Sequence, residues 1–321
     1  MNIFEYLGLP ADHRKLTNKV TQLVKHWDEV PESRKEGKQF TVQTKKDGVC
    51  TLTIIKSGEV SIWSRTGKRF TNTGAIVKHI KDLTLPEGVY LGELWLPKDV
   101  ASLEELSGLV NPNRVNPISV VDSAKLERLT MSWFDLVSIN HFVLGASNWS
   151  YSVRYSDLNR ALSTRFNWSE HVEVLKCTTE VDAKEIDGLL AIYVGLGEEG
   201  IIIRDPDANW EAGHKGWRVM KKVRGVDYDL RCIGWEEGKG KYKGKVANLV
   251  FGWKDGKEIK CMLGKGWTHD MAREMFEGIY TKPYDTVGKI FQVYALEESS
   301  KGKLRLPKVG ECRFDKEVPD V

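Results

Sequence analysis

Alternating apolar and polar positions are the most regular feature of the chain after residue 40. Between residues 40 and 96 the alternation predicts four strands, FTVQT, CTLTII, VSIWSR and VYLGELWL. Further strands are predicted over 129–137, 200–206 and 216–223. The stretch TKKDGVC at 44–50 separates the first two strands, and its lysines, aspartate and glycine are typical of a hairpin turn.

Helical periodicity is weaker and is confined to short segments. Residues 14–28 are predicted to form a helix, because their apolar positions approach helical spacing: Leu16, Val20, Leu23, Val24 and Trp27. Residues 99–118 predict a short helix followed by a proline-broken loop, and helical patterns recur at 153–164 and 182–194.

The pattern changes after Gly225, where short strands are divided by glycine-containing turns. A helix is predicted over 268–279, with Thr268 as its N-cap. A β-rich segment of about 95 residues with one helix has the size of an oligonucleotide-binding barrel. We therefore predict an α+β protein with two domains, residues 1–225 and 226–321.

Composition adds constraints on location and partners. The 321 residues fit about two domains, no apolar run is long enough to span a membrane, and the N-terminus does not resemble a signal peptide. No two of the five cysteines have CxxC spacing, which suits a reducing cytosol: Cys50, Cys177, Cys232, Cys261 and Cys312. The net charge of +3 is modest, but cations concentrate at 221–225, 238–245 and 301–308. They form either solvated loops or a surface for a polyanion.

A lone Lys-x-Asp-Gly is most often a hairpin, but this one is followed by further polar motifs in a fixed order. The motifs are KKDG at 45–48, SRTG at 64–67, GEL at 92–94, WFD at 133–135, EGIII at 199–203, MKKVR at 220–224 and RLPKVGECRFDK at 305–316. Together they resemble the covalent nucleotidyltransferases, and most closely the small ATP-dependent DNA ligases of bacteriophages. The resemblance implies an ATP-grasp-like nucleotidyltransferase domain with antiparallel sheets and flanking helices, followed by an OB-fold barrel.

The resemblance identifies Lys45 as the residue that becomes joined to AMP. A lysine amine is nucleophilic only when it is neutral, which at pH 7 is true of roughly one in a few thousand ordinary lysines. Nearby cations and partial burial favour the neutral form. Adjacent residues of a strand face opposite ways, so we expect Lys46 to point outward. Charge on the phosphates of ATP implies Mg²⁺ as the accompanying cation.

The resemblance also implies roles for the residues around Lys45. Gln43 takes the place of a glutamate that contacts the adenine amino group, and Phe134 is expected to stack on the purine. Glu93 is expected to hold the ribose hydroxyls and Glu199 a metal ion. Arg65 is expected to contact the ribose, a phosphate or the DNA.

Three positions depart from the pattern of the family. Cys50 stands where an arginine usually binds the 5′-phosphate of the nick, and Arg204 replaces a lysine. The phosphate-binding basic pair fits Lys222 and Arg224, with Lys221 as an alternative member. The lysines are expected to bind the nucleotide, and Arg224 is expected to contact the DNA. The first departure removes a positive charge, so another cation is needed to replace it.

The last domain contributes two predicted basic sites. Barrels of this type bind nucleic acid through cationic grooves, so DNA phosphates are expected at Lys239, Lys241, Lys243 and Lys245. Arg313 and Lys316, in the terminal RFDK, are expected to orient the leaving pyrophosphate when the barrel closes over ATP.

The function expected is that of a monomeric, cytoplasmic DNA ligase that uses ATP and seals nicked double-stranded DNA, without a membrane partner. An NAD-dependent ligase is not expected, because no four-cysteine zinc cluster is present and little chain precedes Lys45. The alternatives are an RNA ligase, an mRNA-capping enzyme and a ligase-like protein that binds nucleic acid without sealing it.

Overall fold

A computed structural model describes most of the chain. The residues described are 1–16, 19–163, 169–264, 266–281, 286–296, 298 and 302–321. The chain divides into two compact units, Met1–Val223 and Arg224–Val321. No helix in the part of the chain described is long and apolar enough to cross a membrane.

The first unit mixes helices and strands along the chain. Its helices are α1 Ile3–Tyr6, α2 Gly74–Asp82, α3 Leu103–Leu109, α4 Val120–Leu126, α5 Ile139–Leu144, α6 Tyr151–Ser163 and α7 Ile186–Gly195. Its strands are β1 Leu23–His26, β2 Gln39–Lys45, β3 Val49–Lys56, β4 Glu59–Ser64, β5 Gly88–Trp95, β6 Thr130–Val137, β7 Ala146–Ser150, β8 Val172–Val174, β9 Cys177–Asp182, β10 Gly200–Arg204, β11 Asn209–Glu211 and β12 Lys215–Val223.

Two five-stranded sheets organise this unit. The first has the order β1-β12-β10-β2-β9 and the second β4-β3-β5-β6-β8, and β7 pairs with β11 in a small third sheet. The second sheet has an apolar core on each side, one containing Tyr90 and Trp133 and the other containing Leu52 and Leu91. A further core lies against one side of the first sheet and includes Phe40. Each sheet is therefore anchored by apolar packing.

The helix predicted over 14–28 is wrong. Among its described residues, Leu23–His26 form strand β1 and Trp27–Glu29 a short 3₁₀ turn, whereas residues 17 and 18 lie outside the described part. The apolar side chains that suggested one helix face enter different cores, with Val20 beside α1 and Trp27 against Phe40. Local periodicity here reflects two separate packing sites.

The second unit is a closed five-stranded barrel. Its strands are β13 Val226–Glu237, β14 Val246–Gly252, β15 Glu258–Leu263, β16 Ile290–Ala295 and β17 Lys308–Cys312, in the order β13-β14-β15-β17-β16. Helix α8, His269–Thr281, lies between β15 and β16 in sequence. The Met271 amide donates to the Thr268 hydroxyl over 3.1 Å, as expected of an N-cap. A mixed α/β unit followed by a barrel confirms the predicted fold class.

Candidate active site

Strand register places three of the predicted residues on one side of the first sheet. Lys45 is paired with Gly200, and Ile202 is paired with both Gln43 and Lys221. Directly paired residues of adjacent strands share a face, as do residues two apart on one strand. Gln43, Lys45 and Lys221 therefore lie on the same face.

Lys222 lies on the opposite face of β12. Its ammonium forms ion pairs with Asp187 and with Asp28, the latter over 3.2 Å. Burial opposes the charge of Lys222, but its hydrogen bonds to the two carboxylates outweigh this and raise its pKa. Of the two lysines considered for the basic pair, Lys221 shares the face of Lys45 and Lys222 does not. Arg224, the other residue considered, belongs to the second unit.

Lys45 and Glu199 form a close pair. The Lys45 Nζ donates to Glu199 Oε2 over 2.5 Å, and the Glu199 side chain is 9% exposed. Lys45 is the last residue of β2, and Glu199 immediately precedes β10, so the register of two paired strands sets their approach. The group in contact with the Lys45 amine is thus an anion, whereas the sequence led us to expect cations.

Lys46 does not point outward as the strand alternation predicted. Its Nζ lies 3.2 Å from Glu198 Oε1 and 4.9 Å from the centre of the Trp95 ring. The side chains of Lys46 and Lys45 are 19% and 21% exposed, so both are similarly covered. Because β2 ends at Lys45, alternation no longer fixes the direction of the next side chain.

Glu93 lies where the second sheet meets the turn after Lys45. A side-chain carbon at Gly48 would lie 2.8 Å from Glu93 Cγ and 2.5 Å from the Leu94 carbonyl oxygen, so the approach requires glycine. Burial raises the pKa of Glu93 to about 8, Lys45 opposes the rise, and the carboxylates of Glu199 and Asp47 add to it. These carboxylates therefore act on one another electrostatically.

Phe134 occupies a β-bulge. Leu91 pairs with Asp135 and Gly92 pairs with Trp133, so Phe134 is the extra residue on β6. Such a residue has no directly opposite partner, and its side chain is released from the alternation of the strand. The bulge directs the half-buried ring of Phe134 to the margin of a core.

Arg204 was noted in the sequence only as a conservative replacement, yet it occupies a central position. Its guanidinium carbon lies 4.7 Å from the ring centre of Phe134 and 4.8 Å from that of Tyr151. The Arg204 Nε donates to Gln43 Oε1 over 3.0 Å, and the Gln43 amide donates to the Leu175 carbonyl over 3.1 Å. Sequence reasoning missed Tyr151, whose position at the start of a helix carries no motif.

Cys50 is paired with Glu93 across β3 and β5. Burial raises the pKa of its thiol to about 12, and the neighbouring Glu93 adds to the rise. The thiol is neutral at physiological pH. Arg65 lies in the exposed turn after β4. Its positive charge is close enough to oppose the rise in pKa of both Cys50 and Glu93.

The carboxylates offer a limited set of metal ligands. Within the described residues, no group of three or more His, Cys, Asp or Glu side chains is arranged to hold a metal ion. Mg²⁺ normally binds through one or two protein carboxylates together with water and substrate phosphates. Glu199 and Asp47 both disfavour the charged form of Glu93, and a bound cation would offset that effect, so the donor set fits Mg²⁺ delivered with phosphates.

In the barrel, the predicted lysines occupy the connection between β13 and β14. Lys239, Lys241 and Lys243 are exposed and Lys245 is half-buried. Close packing holds the connection together, because a side-chain carbon at Gly238 would lie 2.5 Å from Tyr242 Cβ.

The terminal basic residues are held by carboxylates of the same unit. Arg313 donates to Asp229 Oδ2 over 2.7 Å and to both oxygens of Asp315 over 2.9 and 2.7 Å. Lys316 pairs with Asp229 and, over 3.4 Å, with Asp320. A pyrophosphate would have to compete with these carboxylates.

Comparisons with known proteins agree with this architecture. Residues 19–223 match the ATP dependent DNA ligase domain, and residues 237–313 match the DNA ligase OB-like domain. A DNA ligase of Pyrobaculum islandicum is 26% identical over 266 residues, which are 78% of this chain and 43% of that protein. The chain thus spans less than half the length of this relative.

Two solved structures are similar in fold. One, described as Pmar-Lig_Pre., has a TM-score of 0.76 and 24% identity and covers 92% of this chain and 67% of that chain. The other, from a structure–function analysis of Lig E DNA ligases, has a TM-score of 0.66 and 17% identity and covers 91% of this chain and 98% of that chain.

Proposed function

The chain belongs to the ATP-dependent DNA ligase family, and on this premise we propose that it seals nicks in double-stranded DNA at the expense of ATP. The contact between Lys45 and Glu199 carries the proposal. It joins a candidate nucleophile to a buried carboxylate at the ends of two paired strands. Glu93 and Phe134, on the second sheet, supply a carboxyl and an aromatic ring for a nucleoside.

In the first step, the Lys45 amine attacks the α-phosphorus of ATP. A nitrogen–phosphorus bond forms, the bond to pyrophosphate breaks, and Lys45 loses its ammonium proton. Glu199 holds the ammonium in place before the reaction, and the proton passes to water when the amine leaves this carboxylate. Glu199 would also hold Mg²⁺, which supplies positive charge to the phosphates when it is bound.

In the second step, an oxygen of the 5′-phosphate attacks the AMP phosphorus and frees Lys45. The 3′-hydroxyl then attacks the 5′-phosphorus, forming the phosphodiester and releasing AMP. Lys221 is the preferred phosphate contact of the basic pair, because it shares the face of Lys45.

Base recognition is proposed to involve Arg204 as well as Gln43. Gln43 is fully buried, and its carbonyl oxygen already accepts a hydrogen bond from Arg204. A purine that stacks on Phe134 must use the ring face away from Arg204 or displace the guanidinium. Glu93 remains the proposed partner of the ribose hydroxyls.

Nicked duplex DNA is the proposed partner, and a cytosolic monomer is the proposed form. All five cysteines are free thiols, which supports a reducing compartment. The lysines between β13 and β14 are proposed to contact DNA phosphates.

A sealing assay with ATP as the sole nucleotide tests the function. Nicked DNA carrying a 5′-phosphate should be joined, with AMP and pyrophosphate as products. Parallel reactions with GTP and with nicked RNA distinguish a capping enzyme and an RNA ligase. The proposal fails if the protein neither takes up AMP nor joins DNA.

A further inference from the structure

We infer that Lys46 binds the 5′-phosphate of the nick and supplies the positive charge that position 50 lacks. The inference rests on the proposed function and assigns a residue to one of its substrates. A 5′-phosphate dianion must approach a phosphate already attached to Lys45, and like charges brought this close require nearby cations.

Position 50 cannot provide such a cation. A cysteine side chain has no cationic form, and burial also disfavours the anionic form of Cys50 by raising its pKa. Its side chain lies on the face of the sheet that also carries Glu93, its cross-strand partner. Trp95, two residues beyond Glu93 on β5, shares this face.

The Lys46 ammonium lies over that face. Its Nζ is 4.9 Å from the centre of the Trp95 ring. Gly48 brings the chain back against β5, since a side-chain carbon there would lie 3.0 Å from Trp95 Cβ. The turn after Lys45 therefore folds the Lys46 side chain toward the region that a longer residue 50 would reach.

The support beneath Lys46 is well ordered by hydrogen bonds. Trp95 Nε1 donates to Ser132 Oγ over 2.7 Å, and the Ser132 hydroxyl donates to Glu173 Oε1 over 2.6 Å. The indole is thereby fixed as a platform for the ammonium, and Glu198 holds the ammonium from another side. A half-buried glutamate partner can be exchanged for a phosphate, since an ammonium has three donors.

The alternative is that Lys46 serves stability alone, through Trp95 and Glu198. The two roles differ in one respect: only phosphate binding distinguishes a nick that ends in a 5′-phosphate from one that ends in a 5′-hydroxyl. Lys46→Met retains an unbranched side chain over Trp95 and removes the charge. Lys46→Arg retains the charge.

The experiment uses the full-length protein loaded with AMP. AMP transfer is measured in a single turnover against the concentration of a nick with a 5′-phosphate and a dideoxy 3′-end. A nick with a 5′-hydroxyl is titrated as a competitor. We expect Lys46→Met to raise the half-saturating concentration of the phosphorylated nick about tenfold to a hundredfold, as for a lost hydrogen bond to a charged group. Competition by the 5′-hydroxyl nick should change less than about threefold, and Lys46→Arg should stay near the native protein.

Two further variants sharpen the result. Cys50→Arg in the Lys46→Met background returns a cation to the same face and should recover part of the binding. Arg65→Met tests the other cation close to Cys50. The inference is overturned if Lys46→Met weakens both nicks equally or neither, or if Arg65→Met alone removes the discrimination. Failure of the proposed function is separate, because the native protein would then take up no AMP from ATP.

Discussion

Lys45 and Glu199 are each other's counter-ion, with 2.5 Å between the amine nitrogen and a carboxylate oxygen. A nucleophilic amine must give up a proton, and a metal-binding carboxylate must give up its ion pair, before either acts. Both changes occur together if phosphates with their cation displace the amine from Glu199. The proposed nucleophile and the proposed metal ligand are thus coupled by one contact.

The first prediction identifies the modified lysine. Lys45→Ala should abolish the AMP label that remains on the denatured protein after incubation with ATP, because Lys45 carries the amine that contacts Glu199. Lys46→Ala should still accept the label. Peptide mapping by mass spectrometry should place AMP on Lys45, and a label that persists in Lys45→Ala would refute the assignment.

The second prediction concerns metal dependence. Glu199→Gln removes a charged ligand while preserving shape, so the Mg²⁺ concentration that gives half-maximal AMP labelling should rise by about tenfold or more. Chelation of divalent cations should abolish labelling of the native protein. Glu198→Gln, one residue away, is the matched control and should leave the Mg²⁺ requirement of the labelling step within about twofold. Equal Mg²⁺ curves for native protein and Glu199→Gln would exclude the role.

The third prediction follows from the raised pKa of Glu93. Burial lifts this pKa to about 8 from an ordinary value of 4.5. Below pH 4.5 both folded and unfolded chains hold the proton, so the group has no effect. Between about pH 4.5 and 8 only the unfolded chain releases it, so the free energy of unfolding falls as pH rises and levels off above pH 8.

Glu93→Gln provides the test, because the amide cannot ionise. The thermal midpoint of the variant should be similar to that of the native protein near pH 5 and higher near pH 8.5. Thermal unfolding followed by circular dichroism at both values measures the difference. Glu104→Gln, an exposed residue of α3, controls for a general charge effect. A difference that is constant across pH would contradict the assigned shift.

The fourth prediction addresses DNA binding by the barrel. Four lysines between β13 and β14 should contact phosphates, so replacing them together with alanine should weaken binding to all sequences alike. The slope of log K against log salt should flatten by up to about four contacts, each contributing about −0.9 on duplex DNA. The altered residues are Lys239, Lys241, Lys243 and Lys245.

A matched control uses barrel lysines that carboxylates already hold. Lys254 pairs with Glu298, and Lys260 pairs with Glu236, each over 2.6 Å. Alanine at both positions should leave the slope of log K against log salt equal to that of the native protein within experimental error. If the fourfold variant keeps the native slope, the connection is a solvated loop without a DNA contact.

The fifth prediction separates the steps of the reaction. Arg313→Ala should lose AMP labelling from ATP but should still join a nick supplied already adenylylated, because pyrophosphate leaves in the first step. Controls for stability are needed, because Arg313 also forms hydrogen bonds to Asp229 and Asp315 within the barrel. Arg313→Lys keeps the charge, and thermal unfolding reports on the barrel. Equal loss in both assays, with a lowered midpoint, would indicate a structural role.

Sequence reasoning succeeded where side chains follow the alternation of a regular strand. Gln43 and Lys45 share a face because they are two residues apart on β2. It failed for Lys46, because a strand's end is set by its partners: the pairing of β2 with β10 stops at Gly200. It also could not choose between Lys221 and Lys222, since only cross-strand register fixes their faces.

Long-range contacts explain the two remaining features that the sequence did not predict correctly, the position of Arg204 and the structure of residues 14–28. The position of Arg204 between Phe134 and Tyr151 joins segments that are far apart in sequence, so no local pattern indicates it. The predicted helix over 14–28 failed for a related reason, because Val20 and Trp27 pack in separate cores.

The bulge at Phe134 has a consequence for how this part of the sheet tolerates change. Val137 and Trp133 are both odd-numbered residues of β6, yet they enter cores on opposite sides of the sheet. The extra residue between them shifts the alternation by one position, so odd-numbered residues of β6 face one side of the sheet before Phe134 and the other side after it. Deleting Phe134 would join Trp133 to Asp135 with every other cross-strand partner preserved, whereas a deletion elsewhere in β6 would exchange inward and outward side chains. The pairing of β5 with β6 is complete without Phe134, because the residues on either side of it already have partners. The position of the Phe134 ring therefore depends on the number of residues in β6 rather than on their types.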